Sequence, residues 1–209
     1  LDSDLRSRGS RLLVRSGDPT EVLAQLCHET GAAGVFAQRD YSPFALRRDA
    51  AVAAALPAPL HLTDGIAARA TETIHKDDGN PFVVYTPFGK RWRSFGPFGR
   101  SDILPAPLAL RTPSAPEGVP IPTTPNLPPS VPFIAGEAEA KRRLGTFVSG
   151  DGAPVYDYAK LRDQPYADAT SQLSPYLRWG MISPRLAALA AYEAIDRART
   201  QGGADAEDA

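Results

Sequence analysis

The residues best suited to chemistry in this chain are three hydroxyls between Thr170 and Ser174. Thr170, Ser171 and Ser174 fall within five residues, and two Ser-Pro steps begin at Ser174 and Ser183. A Ser-Pro step is typical of a helix start. The serine oxygen accepts hydrogen bonds from the first free backbone amides, and proline has no backbone N–H that would be left without an acceptor there. Such a start is suited to bind a phosphate or diphosphate. From these residues alone, two short capped helices without a ligand remain the alternative.

The elements that would position these hydroxyls are helices. A charged amphipathic helix is predicted from Gly136, with Ala140, Leu144 and either Phe147 or Val148 on one face, and a longer helix from Ser183 to about residue 199. Little β propensity lies between them. Residues 135–209 are therefore predicted to be all-α.

The first part of the chain has a different pattern. Helices are predicted to begin at Asp18-Pro19, with an end near Gly31, and at Ser42-Pro43. Three short strands are predicted, at Arg11–Val14, Gly34–Ala37 and Leu60–Leu62. Alternating strands and helices favour a mainly parallel sheet with helices on its faces, so residues 1–96 are predicted to be α/β. Within them, residues 63–80 are predicted to be a loop and Thr86–Trp92 a turn.

Residues 97–134 are predicted to be a linker between these two domains. Eleven of the 21 prolines lie between Pro97 and Pro132. Proline removes backbone donors, so such a segment cannot sustain a helix or a central strand and is expected to be extended over the surface.

Composition excludes several classes of protein. The chain has 209 residues, 43% of them hydrophobic and 22% charged, which is typical of a globular protein. No apolar run is long enough to cross a bilayer, so a cytoplasmic protein is expected. The single cysteine, Cys27, excludes an internal disulfide and a thiolate zinc site, and no metal site is predicted. The net charge of -1 means that any nucleic-acid contact must come from a local patch.

The order of four sequence blocks resembles a known family. The blocks are Arg39-Asp40-Tyr41-Ser42-Pro43-Phe44 with Arg48-Asp49; Val84-Tyr85-Thr86-Pro87-Phe88 leading to Trp92; Tyr158 with Arg162-Asp163 and Pro165; and Thr170-Ser171-Gln172-Leu173-Ser174-Pro175-Tyr176-Leu177, with Ile182-Ser183-Pro184-Arg185 after it. The last block resembles the flavin-domain signature of the DNA photolyase and cryptochrome family. The resemblance implies the end of a Rossmann-like α/β antenna domain, a linker and the start of a helical FAD-binding domain. Compared with the family, first strands and a second half of the flavin domain are missing, so we expect a fragment.

The resemblance also implies functional positions. The FAD-contacting positions would be Tyr158, Thr170, Ser171, Gln172, Leu173 and Ser174. Arg162 would contact the DNA backbone, although a surface ion pair with Asp157, Asp163 or Asp168 fits the sequence equally well. No catalytic residue can be assigned, and Trp92 and Trp179 are not matched to electron-relay positions. A second, antenna chromophore is possible in this family, but Phe44 and Ala45 replace the Asn-Glu pair of folate-binding members, which disfavours folate.

The implied activity is that of a deoxyribodipyrimidine photolyase. Light-excited reduced FAD would give an electron to a cyclobutane pyrimidine dimer in DNA, flipped out of the base stack. We expect this activity in the full-length parent and not in the fragment alone. A cryptochrome-like photoreceptor that binds FAD without repair is the first alternative, and a module with the fold but no working cofactor site is the second. The oligomeric state and the type of dimer stay open.

Overall fold

The structure is a computed structural model that describes residues 1–114, 116–122 and 133–200. The chain divides into two compact units. The first is Leu1–Asp64 with the described part of Pro105–Val131, and the second is Gly65–Leu104 with the described part of Pro132–Ala209. The predicted linker residues 123–132 and the tail 201–209 lie outside the described residues.

The first unit is α/β. Its elements are α1 (Asp2–Arg6), α2 (Pro19–Thr30), β1 (Val35–Gln38), α3 (Pro43–Ala55) and β2 (Leu60–Thr63). The two strands pair in parallel, with Val35 opposite Leu60. A parallel pair requires a crossover, and α3 provides it. The parallel pairing of these two predicted strands is confirmed.

Local signals explain the helices of this unit. The Asp18 carboxylate accepts a hydrogen bond from the Thr20 amide at 2.8 Å, and α2 ends at Gly31, whose φ of 62° places it in the left-handed region. The Ser42 hydroxyl accepts from the Ala45 amide at 3.3 Å at the start of α3. Both predicted helix starts are confirmed.

The predicted strand at Arg11–Val14 is wrong. These residues lie beside the proline-rich segment and form no strand. The Val14 carbonyl accepts from the Val119 amide at 2.9 Å, and the Arg11 guanidinium donates to the carbonyls of Pro113, Ser114 and Pro116. A neighbour rich in proline lacks the regular amides that a β ladder needs, which explains the isolated contacts.

The second unit is helical in its described residues. It contains α4 (Tyr85–Ser94), α5 (Glu137–Val148), α6 (Tyr158–Leu161), α7 (Ser174–Arg178) and α8 (Pro184–Thr200), with 3-10 turns at Thr71–Thr73, Arg100–Asp102 and Pro154–Asp157. The core includes the α5 stripe Ala140, Leu144 and Val148, as predicted, with Phe147 partly buried beside it. Leu173 and Tyr176, from the sequence block that contains the hydroxyl cluster, belong to the same core.

One expectation about residues 63–104 needs correction. The predicted turn at Thr86–Trp92 is part of helix α4; Pro87 is its third residue, where the amide has no intrahelical acceptor, so the proline is tolerated. By contacts, residues 65–104 cluster with the second unit. Two long-range contacts lie within that unit: the Arg185 Nε donates to the Ala68 carbonyl at 3.1 Å, and Arg100 pairs with Glu193 at 2.7 Å.

Two kinds of feature are absent from the described residues. None of the helices there combines the length and the apolar character needed to span a membrane. In the same residues, no group of three or more His, Cys, Asp or Glu side chains is arranged to hold a metal ion.

Candidate cofactor site

Two buried side chains fix the hydroxyl-rich segment to the core of the helical unit. Ala169 is 3% exposed and Leu173 is 4% exposed, so the residues between them form a short surface loop anchored at both ends. One turn later, Tyr176 is buried and its hydroxyl donates to the Ile134 carbonyl at 2.9 Å. The apolar residues of the sequence block therefore hold the loop, and Thr170 and Ser171 are left on its outer side.

The loop borders an open cleft of about 210 Å³. Helix α5 forms one wall and the loop forms another; the lining residues are Arg142, Arg143, Thr146, Phe147, Pro154, Asp168, Thr170, Ser171 and Gln172. Three of the six predicted FAD positions therefore meet in one cleft. The α5 residues are a part of the site that sequence reasoning missed, although Arg143 and Phe147 flank the predicted apolar stripe.

The charges around the cleft are balanced. Arg142 donates two hydrogen bonds of 2.7 Å to the Glu139 carboxylate, and the Arg143 Nε donates to the same carboxylate at 2.8 Å. Hydrogen bonds from Arg142 and then from Arg143 lower the pKa of Glu139 from 4.5 to about 2, against the opposing effect of burial. Glu139 and Asp168 offset the positive charges of the two guanidinium groups. The cleft can therefore donate hydrogen bonds to an anion without carrying a large net charge.

The hydroxyls of this segment are free to bind a ligand. Within the described residues, the side-chain oxygens of Thr170, Ser171 and Ser174 make no hydrogen bond. Ser183 differs, since its hydroxyl accepts from the Arg185 amide at 3.2 Å and caps α8. Thr170 and Ser174 are exposed and Ser171 is half-buried. Three unpaired donors therefore lie within five residues of chain.

The remaining predicted FAD positions lie outside the cleft lining. Tyr158, the first residue of α6, packs edge-on against Phe147 with ring centroids 5.9 Å apart, and Phe147 lines the cleft. Leu173 points its side chain into the core, so only its backbone is available to a ligand. Ser174 begins α7 as its first residue; Leu173 is the N-cap, so the Ser174 hydroxyl does not cap the helix as predicted.

Comparison with known proteins decides the family. The DNA photolyase family model matches residues 1–109, just over half of the 209 residues. The chain belongs to the DNA photolyase family. A deoxyribodipyrimidine photo-lyase from Streptomyces griseus is 35% identical over 216 residues, which cover 99% of this chain and 44% of the relative. One from Thermus thermophilus is 38% identical over 184 residues, covering 88% of this chain and 40% of the relative.

Other matches extend the comparison. A cryptochrome DASH from Natronomonas pharaonis is 33% identical over 88% of this chain and 41% of its own length. The fold matches the crystal structure of a class III photolyase from Agrobacterium tumefaciens, with a TM-score of 0.78 and 26% identity over 99% of this chain and 44% of that one. The chain thus has the photolyase fold, and it spans less than half the length of each of these four proteins.

In this DNA photolyase family member, Arg162 is the only residue predicted to contact DNA. It is the residue after α6, its side chain is 55% exposed, and its Nε lies 3.7 Å from the Asp163 carboxylate. The guanidinium also lies 6.0 Å from the centre of the Tyr158 ring. An exposed ion pair of this length contributes little, so Asp163 does not prevent Arg162 from pairing with a phosphate.

The donor set of the cleft fits one part of FAD, the diphosphate. Hydroxyl groups and backbone amides bind phosphate oxygens, and Thr170 and Ser171 present unpaired hydroxyls to the cleft. A cleft of about 210 Å³ is smaller than the roughly 300–1,000 Å³ of a site for a drug-sized ligand. It can therefore hold the diphosphate region of a dinucleotide and not the whole molecule.

Proposed function

We propose that the protein expressed from the full reading frame that encodes this chain is a deoxyribodipyrimidine photolyase, which repairs cyclobutane pyrimidine dimers in cytoplasmic DNA by light-driven electron transfer. Residues 1–96 would belong to its antenna domain, residues 97–134 to its linker and residues 135–209 to its FAD-binding domain. The family assignment and the identity to two photolyases support this proposal. The activity is proposed for the whole protein because the chain spans 44% of the Streptomyces griseus relative.

The observation that carries the proposal is the set of unpaired hydroxyls at the α7 start. Thr170, Ser171 and Ser174 have no side-chain partner within the described residues, and two of them line the cleft. A hydroxyl that donates to a charged phosphate stabilises the complex by roughly 1.5–3 kcal/mol. Donors that are exposed, clustered and fixed by buried neighbours are suited to bind a diphosphate without a large cost in loop ordering.

The proposed roles of this chain's residues are binding and orientation. Thr170, Ser171 and Ser174 donate to diphosphate oxygens, and the backbone of Gln172 and Leu173 completes the loop around them. Tyr158 contacts the cofactor from α6, and Arg162 pairs with a DNA phosphate beside it. Reduced FAD, when bound, would supply the electron for dimer cleavage.

A second chromophore in the first unit would not be a folate. Phe44 and Ala45 occupy the positions where folate-binding members have an Asn-Glu pair. Neither side chain has a hydrogen-bonding group, and Ala45 is 1% exposed, inside α3. A deazaflavin, another antenna or none is the proposal for this unit.

The second candidate function is a cryptochrome-like photoreceptor. The similarity to the Natronomonas pharaonis cryptochrome DASH favours it. Both candidates bind FAD, so the test must separate repair from cofactor binding. Purified protein should be illuminated with DNA that contains cyclobutane dimers, and repaired bases should be counted with and without light. Light-dependent repair is expected; bound flavin without repair would favour the photoreceptor, and no bound flavin would contradict both.

The role of Arg162 has its own test. If Arg162 pairs with one phosphate, Arg162→Ala leaves the flavin content unchanged, and the slope of log affinity against log salt becomes shallower by about 0.9 for duplex DNA. The matched control is Lys141→Ala, which removes a cation on α5 that is 59% exposed and paired with Glu137. An unchanged slope together with lost flavin would assign Arg162 to the cofactor pocket instead.

A further inference from the structure

Gln172 has an unusual backbone conformation. Its φ is 50°, and among the described residues it is the only non-glycine residue with a positive φ. An L-residue in the left-handed region is strained, because its Cβ crowds the following carbonyl. Gln172 lies between Ser171 and Leu173, in the middle of the candidate loop. Its conformation therefore determines where the hydroxyls on either side point.

The side chain of Gln172 is held at both ends. Its Oε1 accepts from the Arg143 Nη1 at 2.7 Å, and its Nε2 donates to the Asp168 Oδ1 at 2.6 Å. The second bond connects the loop to Asp168, just before it, whereas the first connects the loop to helix α5. These two hydrogen bonds can offset the strain of the left-handed backbone at Gln172.

Arg143 is itself fixed in one position. Its Nε donates to Glu139 one turn earlier at 2.8 Å, and its guanidinium lies 4.9 Å from the ring centre of Phe133 and 5.6 Å from that of Tyr176. The side chain is 16% exposed. A planar guanidinium held by a carboxylate and two rings loses little freedom when it donates one more hydrogen bond.

We propose that Arg143 is a positioning residue for the cofactor site: it holds Gln172 in the left-handed conformation and thereby directs the hydroxyls of Thr170 and Ser171 into the cleft. This inference rests on the proposed function for the identity of the ligand, a dinucleotide diphosphate. The opposite possibility is that Arg143 binds the diphosphate directly through its charge. Glu139 already offsets that charge, and two of the Arg143 nitrogens already donate to Glu139 and Gln172, so the geometry favours positioning.

The first test measures loop order in the protein from the full reading frame, after removal of any bound cofactor. Arg143→Met keeps an unbranched apolar stem between the two rings and removes the hydrogen bonds. The ¹⁵N order parameters of Ser171 and Gln172 should fall from about 0.85 to below about 0.6. Arg142→Met is the matched control, since Arg142 also lines the cleft and pairs with Glu139, whereas the Gln172 side chain bonds to Arg143 and Asp168; the order parameters of this variant should not change. Unchanged values in Arg143→Met would overturn the proposal.

A conservative variant separates geometry from charge. Arg143→Lys keeps the positive charge, but its compact ammonium lacks the planar fork that reaches Glu139 and Gln172 together. It should behave like Arg143→Met. Restoration of loop order and flavin affinity by lysine would mean that charge alone is needed, which contradicts positioning. If Arg143→Met does not fold, Gln172→Ala removes the same connection with Arg143 in place, and the same loss of order is expected.

The second test is a double-mutant cycle on flavin affinity in the protein from the full reading frame. Arg143→Met should weaken FAD binding by about tenfold in the wild-type background, from the loss of one charged hydrogen bond. Glycine adopts a positive φ without strain, so in a Gln172→Gly background Arg143→Met should have almost no further effect. An undiminished tenfold loss in that background would show that Arg143 acts on the ligand directly. Absence of flavin from the wild-type protein would contradict the proposed function, whereas the order parameters would still decide the positioning role.

Discussion

Two Ser-Pro steps nine residues apart look equivalent in the sequence and differ in the structure. Ser183 lies before the 17-residue helix α8, and its hydroxyl accepts from the Arg185 amide at 3.2 Å. Ser174 is the first residue of the five-residue helix α7, and its hydroxyl makes no hydrogen bond within the described part of the chain. One serine stabilises the fold and the other is left available for a ligand.

The backbone explains why the two serines differ. A capping serine precedes the helix, usually with extended dihedral angles, so that its oxygen reaches the amide two or three residues ahead. At α7 the N-cap is instead Leu173, with φ of −86° and ψ of −6°, and its buried side chain fixes the helix start one residue earlier. Packing of Leu173 therefore prevents Ser174 from capping. The Ser174 hydroxyl is left available because a neighbouring apolar residue determines where the helix begins.

The largest expected effect concerns the apolar residues that precede the two serines. Leu173 is 4% exposed and Ile182 is 3% exposed, both in one core cluster. Leu173→Ala and Ile182→Ala should each lower the free energy of unfolding by about 2–5 kcal/mol, from lost burial and the cavity left behind. Urea denaturation measures both. A loss below about 1 kcal/mol for Leu173→Ala would mean that Leu173 does not fix the α7 start.

Removal of each serine hydroxyl should show that the two Ser-Pro steps differ. Ser183→Ala should lower the free energy of unfolding by about 0.5–2 kcal/mol, because the α8 amide loses its acceptor. Ser174→Ala should change it by less than about 0.5 kcal/mol, as for other surface substitutions. The same denaturation experiment checks both variants. Equal losses would show that Ser174 also caps its helix in solution, and the comparison would fail.

The smallest expected effect is a difference in how the free energy of unfolding depends on pH. The folded-state pKa of Glu139 is lowered from 4.5 to about 2, so its contribution to stability is present above pH 4.5 and is lost as the pH falls towards 2. Glu139→Gln should remove this part of the acid dependence. The Ser183 cap involves no titrating group, so the stability difference between wild type and Ser183→Ala should stay constant over the same range. Identical acid profiles for wild type and Glu139→Gln would contradict the assignment.

Local chemistry explains which parts of the fold were predictable. Asp18-Pro19 and Gly31 bound α2 because capping and left-handed glycine act over a few residues, and the spacing of Ala140, Leu144 and Val148 identified the buried face of α5. The strand predicted at Arg11–Val14 was wrong because a distant segment, the proline-rich stretch beside it, decides its structure. An apolar run becomes a strand only beside a neighbour with amides to pair.

The candidate site was predictable in part for the same reason. The hydroxyl cluster is contiguous in the sequence, so residue types alone singled out Thr170, Ser171 and Ser174. Arg143 is 29 residues from Gln172, and nothing in the sequence links them. Glutamine gives no signal of a left-handed backbone, because that conformation is imposed by contacts and not by residue type. The α5 wall of the cleft therefore became visible only in the structure.

In the proposed cofactor site, the hydroxyls at the start of α7 bind the diphosphate of FAD. The most direct measurement is flavin bound per polypeptide after gel filtration, in protein expressed from the full reading frame. Thr170→Ala combined with Ser174→Ala should lose most of its flavin, since each hydrogen bond to a charged phosphate contributes roughly 1.5–3 kcal/mol. Ser183→Ala, with its hydroxyl used by the helix, should retain flavin at the wild-type ratio. Stoichiometric flavin in the double variant would contradict the account.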